Sequence, residues 1–165
     1  MSKPVPSPAL PRCLAVVCGS VAWVLAVAGN AHALGTDMPY SAFATAPDVD
    51  WLQVCGEWPA PPARDGSQRG TYRIVHASRY AQSFLFVQWL RHDDTDSAQE
   101  VKTLGVPALN NDHAAISLSQ MRCQATPRGI RLTARAASGH DGSVFRITID
   151  AGHKPGDLRY RSTGR

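Results

Sequence analysis

Between Gly129 and Asp150 the chain alternates. Ile130, Leu132 and Ala134 are separated by Arg131, Thr133 and Arg135; Phe145, Ile147 and Ile149 are followed in turn by or preceded by Arg146, Thr148 and Asp150. A period of two sets the apolar residues on one face of an extended strand and the charged ones on the other, a pattern that a helix of 3.6 residues per turn would scatter. Ser138-Gly139-His140-Asp141-Gly142 lies between the two runs. Its side chains bond their own backbone or tolerate positive φ, so the pair is predicted to be a hairpin.

The same period recurs upstream. Tyr72, Ile74 and His76 alternate with Arg73 and Val75, and His76 reads as a hydrogen-bonded core histidine. Ser83 to Leu90 is apolar on both faces, with Phe84, Phe86 and Leu90 on one and Leu85, Val87 and Trp89 on the other. That is the signature of a strand covered on both sides. Val101 to Leu109 is broken by Gly105 and Pro107 and reads as an edge or bulged strand. In Ala115 to Cys123 the phase changes, because Ile116 and Leu118 share a face while Met121 and Cys123 take the other. A bulge near Ser119-Gln120 reconciles them. Trp51 to Cys55 is a short strand, and Pro59-Ala60-Pro61-Pro62 with Asp65-Gly66-Ser67 is loop chemistry. With no amphipathic helix in view, the chain is predicted to be all-β: an antiparallel sandwich or small barrel of about six to eight strands.

Not all 165 residues belong to that domain. Lys3 and Arg12 precede an uncharged run from Cys13 to Ala28, and Ala31-His32-Ala33 follows. A basic start, an apolar centre and small residues at −3 and −1 predict a secretory signal peptide over 1–33, cleaved after Ala33. The apolar run of 16 residues is short of the ~20 that span a bilayer, so retention as an anchor ranks second. The mature organisation is then an extended arm over 34–50, a β-domain over 51–153 and a polar tail over 154–165. The expected location is the periplasm or the exterior.

Removing the leader leaves Cys55 and Cys123. In an exported chain two cysteines most simply form one disulfide, here closing a loop of 68 residues. It also lowers the net charge to 15 − 13 = +2, so a nucleic-acid partner is not expected. The charge that remains is uneven. Residues 34–121 hold 6 basic and 10 acidic residues, whereas 122–165 hold 9 basic and 3 acidic. Arg131, Arg135 and Arg146 stand on the outward positions of the last hairpin, with Arg122 extending the row. They form a basic stripe suited to an acidic protein or an anionic envelope polymer. His140 and Asp141, in the hairpin turn, are the loop candidates beside it.

Catalytic signatures are missing. There is no GxSxG, no HExxH and no phosphate-cradling glycine loop, and no cofactor is expected. His92 with Asp94, and Asp112 with His113, are the residue pairs from which a metal-dependent protein or hydrolase would be built, though the EF-hand spacing is absent and a solvated acidic turn is preferred. An exported, mostly β domain with one disulfide is similar in disposition to bacterial periplasmic inhibitors of lysozyme, some of which insert a Ser-Gly loop into an enzyme cleft. Ser138-Gly139 supplies that dipeptide, without the accompanying aromatic residue. The expectation is therefore a non-enzymatic binding or inhibitory module for an envelope partner. The hydrolase or metal protein is the alternative, and a structural envelope component comes third.

Overall fold

A computed structural model describes residues 36–44, 48–62, 66 and 68–164. The expected signal peptide and its cleavage point at Ala33 lie outside the described residues. Among these residues are eight strands in two antiparallel meanders, each in chain order. The first sheet is β1 (Val49–Pro59), β2 (Arg69–Arg79), β3 (Gln82–His92) and β4 (Ala98–Gly105). The second is β5 (Ile116–Thr126), β6 (Gly129–Ser138), β7 (Val144–Gly152) and β8 (Leu158–Thr163). A single-turn helix, α1 (Pro107–Asn110), lies on the connection between them. The fold is a β-sandwich.

One core fills the space between the sheets. Tyr72, Ile74, Leu85, Val87 and Trp89 from the first meet Ile130, Leu132, Ala134, Phe145, Ile147 and Ile149 from the second. Among the described residues no strand ladder joins the two layers. They are linked instead by the Cys55–Cys123 disulfide between β1 and β5, with Cα atoms 6.2 Å apart, and by a few hydrogen bonds. The carbonyl oxygen of Gly152 on β7 accepts from both Trp89 Nε1 at 2.9 Å and the Tyr72 hydroxyl at 3.1 Å. Burial pushes the Tyr72 phenol up to about 12, so it stays a donor.

The two sheets differ on their outer faces, and the sequence difference between them has this cause. The first is covered twice: Val75, Ala77, Phe84 and Phe86 form a second cluster closed by Phe43, with Met38 and Tyr40 beside it. A 3₁₀ turn at Tyr40–Ala42 carries Phe43 onto the sheet, with its ring 4.7 Å from Phe84 and 5.6 Å from Phe86. Arg79 clamps the arm by bonding Asp48 and, at 2.8 Å, the carbonyl oxygen of Ala42, while its guanidinium lies 4.6 Å over the Phe43 ring. The arm expected over 34–50 is thus a structural lid in its described part. Among the described residues the second sheet has no such cover. Its outer residues stay polar, which is why its strands alternate cleanly while Ser83–Leu90 does not.

Local details follow the residues. The register of β5 slips between Ser119 and Arg122, with Gln120 at φ +53°, where the phase change called for a bulge. β1 runs past Cys55 through a second irregularity at Gly56, φ +70°, and this turns Trp58 into the core. A Cβ on Gly56 would lie 2.9 Å from Ile130 Cγ2, so only glycine allows β1 and β6 this close. β4 is an edge strand ending at Gly105, and Pro107 starts α1 instead of prolonging it. Residues 154–165, read as a polar tail, carry β8: Leu158 and Tyr160 point inward against the core while Arg159 and Arg161 alternate outward.

Candidate anion-binding face

Cross-strand register places the outward side chains of the second sheet in rows. One row is Ser119, Arg135, Arg146 and Thr163; the next is Arg122, Thr133, Thr148 and Arg161; the third is Gln124, Arg131, Asp150 and Arg159. Six arginines therefore share these rows with one carboxylate. Strands lie ~4.8 Å apart and like-facing residues of one strand ~6.6 Å apart, so each guanidinium reaches several others.

The structure divides the basic stripe into two kinds of arginine. Arg131 Nε donates to Asp150 Oδ1 at 2.6 Å, and Arg161 bonds the other oxygen of the same carboxylate. The Asp150 carboxylate accordingly holds the Arg131 guanidinium above its ordinary pKa. Arg159 Nε lies 3.6 Å from Asp157 Oδ1. The side chains of Arg122, Arg135 and Arg146 form no ion pair or hydrogen bond among the described residues, and all three residues are exposed. Arg135 and Arg146 are direct cross-strand partners. Like charges placed opposite one another cost stability. The acids that pair with arginines of this face, Asp150 on β7 and Asp157 in the turn before β8, come from the same half of the chain as the arginines.

Two concavities open on this sheet. One of about 520 Å³ is lined by Gln120, Arg122, Thr133, Arg135, Arg146 and Thr163, and holds all three unpaired arginines. The other, about 570 Å³, is lined by Arg128, Arg131, Arg159 and Arg161 together with Asp150 and Asp157, and three of its four arginines face a carboxylate.

The remaining candidates are used differently. His140 Nε2 donates to the carbonyl oxygen of His113 at 2.9 Å, which ties the β6–β7 turn to the connection entering β5. Asp141 Oδ1 accepts from the Ser143 backbone at 3.0 Å and shapes the same turn. Asp112 Oδ1 accepts from the Thr36 backbone at 2.8 Å, fixing the start of the arm. His92 lies at the far end of β3, its Nε2 2.8 Å from Thr71 Oγ1 and its Nδ1 3.3 Å from Asp96 Oδ1. Asp94 sits in the loop beyond it, which is organised by Asp93 Oδ1 accepting from Thr95 and Ser97 backbone groups. Gln82, at the opposite end of β3, bonds Ala115 next to the His113 turn. His92 and Asp94 are therefore separated from Asp112 and His113 by the length of an 11-residue strand, ~33 Å. Among the described residues no group of three or more His, Cys, Asp or Glu side chains is placed to hold a metal ion.

One Ser–His–Asp series does assemble: Ser83 Oγ is 2.9 Å from His76 Nε2, and His76 Nδ1 is 3.7 Å from Asp50 Oδ2. It lacks access. Ser83 is 2 % exposed and its oxygen already accepts from the Leu118 backbone at 2.9 Å. The series is a strut between β2, β3 and β5, as expected of a core histidine. Burial lowers the His76 pKa below 6.5, with Asp50 opposing weakly. The native state thus favours the neutral ring. Its contribution is complete above the unfolded value and is lost as pH falls from there through the lower folded value. Melting temperature is expected to fall between pH 7 and pH 5, and to fall less in His76→Gln; an equal fall in both proteins would place the titrating group elsewhere.

Comparison with protein-family models, curated proteins and solved structures yields no match to this chain.

Proposed function

We propose that this chain is an exported, non-enzymatic binding module, periplasmic or secreted, whose second sheet engages an anionic partner of the cell envelope. The observation that carries the reading is the set of unpaired arginines, Arg122, Arg135 and Arg146, gathered on one concavity of an otherwise polar sheet face. An excess of like charge with no internal counterion lowers the stability of the free protein and raises its attraction for an anion. Sequential meanders reinforce this. Because each half of the chain is one sheet, the acidic balance of 34–121 and the basic balance of 122–165 are also a difference between layers.

Retention on immobilised heparin, a sulfated glycan, tests the proposal. The wild-type chain is expected to bind and to elute with added salt, as exposed charge interactions are screened within ~8 Å at physiological ionic strength. Arg122→Ser, Arg135→Ser and Arg146→Ser combined should weaken binding by at least about tenfold, or about 1.4 kcal/mol. A triple variant that elutes with the wild type would show the face to be idle.

A further inference from the structure

We infer that the concavity framed by Arg122, Arg135 and Arg146 is a site for one tetrahedral oxyanion ester, the sulfate or phosphate group of an anionic glycan. The inference deepens the proposed function and rests on it. The sheet supplies its own comparison. One row away from Arg135 and Arg146 stand Arg122 and Thr133, and one row further a single carboxylate, Asp150, engages two arginines with its two oxygens. Here a carboxylate meets two guanidiniums, one on each oxygen. The concavity offers three, from three successive strands, and an esterified sulfate or phosphate presents three unsubstituted oxygens. Guanidinium donors pair with such oxygens in forked, charge-assisted geometry, and no arginine can accept a hydrogen bond in return.

The surroundings select the carrier of the anion. Thr133, Thr163 and Gln120 line the same concavity and supply hydroxyl and amide groups that both donate and accept, complementary to sugar hydroxyls. The bulge at Gln120 is what brings β5 backbone and side chain to its wall. Among the described residues no Trp or Tyr lines it and the one aromatic that does, Phe145, is buried in the core, so bases have no platform on which to stack. Among the described residues Val144, 44 % exposed, is the one large aliphatic residue there, too little apolar surface to anchor the face among lipid chains.

The test uses the full-length chain, labelled at arginine Nε, and follows its side-chain resonances as probes are added at constant ionic strength. Inorganic sulfate and inorganic phosphate are expected to shift Arg122, Arg135 and Arg146 saturably, roughly tenfold more tightly than acetate. Heparin should bind more tightly than polygalacturonate, a glycan charged by carboxylates. Vesicles of phosphatidylcholine with phosphatidylglycerol should not bind. If acetate equals sulfate and polygalacturonate equals heparin, the face binds anions without selecting a tetrahedral one, and this inference fails while the proposed function stands. Vesicle binding stronger than heparin binding would overturn the glycan assignment. If no probe binds, both fail together.

Discussion

Replacing Cys55 and Cys123 together by serine is expected to lower stability by roughly 4 kcal/mol, the chain-entropy value for releasing a loop of 68 residues. The architecture makes this crosslink count. Each meander pairs its strands only among themselves, so the layers are held by core packing, the connection from β4 to β5, and side-chain bonds such as those from Trp89 and Tyr72 to Gly152. Without the bridge the unfolded chain gains freedom, while the edge strands β1 and β5 lose their covalent staple. For a domain of this size the shift corresponds to a melting temperature lower by on the order of 15 °C. Calorimetry of the double variant checks it. An unchanged transition would mean that the sheets dock without help from the sulfur pair.

Phe43→Ala is expected to cost about 3–5 kcal/mol, the range for deleting a fully buried phenyl ring. Phe43 is 1 % exposed although it lies in a segment bounded by Pro39 and Pro47 with no sheet partner of its own. Its removal uncovers Phe84 and Phe86 and leaves Arg79 without the ring beneath its guanidinium. Urea denaturation should show the loss in the midpoint, and binding of a hydrophobic dye should rise as the outer face of the first sheet opens. A loss below ~1 kcal/mol would indicate that the arm does not close this face.

The second sheet was largely readable from residue order. Alternation gave the faces of β6 and β7, Ser138–Gly142 gave their hairpin, and the phase slip in β5 gave its bulge. Even the Arg131–Asp150 pair was within reach: once Ser138 and Ser143 close the turn, register puts Arg131 opposite Asp150 and Arg135 opposite Arg146. What hid from the sequence was long-range. Nothing local in 36–44 reveals that Phe43 covers a sheet; the only hint was that Phe84 and Phe86 needed a cover. Trp58 escaped because Gly56 breaks the alternation, although a glycine within a strand is itself a sign of a bulge. β8 is short and rich in arginine, so its period of two looked like a polar end. Loop histidines could not be grouped without strand order, and that order places His92 at one end of β3 and the His113–His140 contact at the other.

The central claim is that arginines sharing one sheet face do opposite work: Arg131 is held by Asp150 and stabilises the fold, whereas Arg135 faces Arg146 and serves a ligand. Arg131→Ser and Arg135→Ser change net charge equally, so a comparison of their heparin affinity and melting temperature isolates position from charge. Arg131→Ser is expected to melt lower with affinity near that of the wild type. Arg135→Ser should melt no lower, because like-charge repulsion of order 0.2–1 kcal/mol is relieved, and should bind several-fold more weakly. Equal losses of affinity in both, or a lower melting temperature for Arg135→Ser alone, would contradict it.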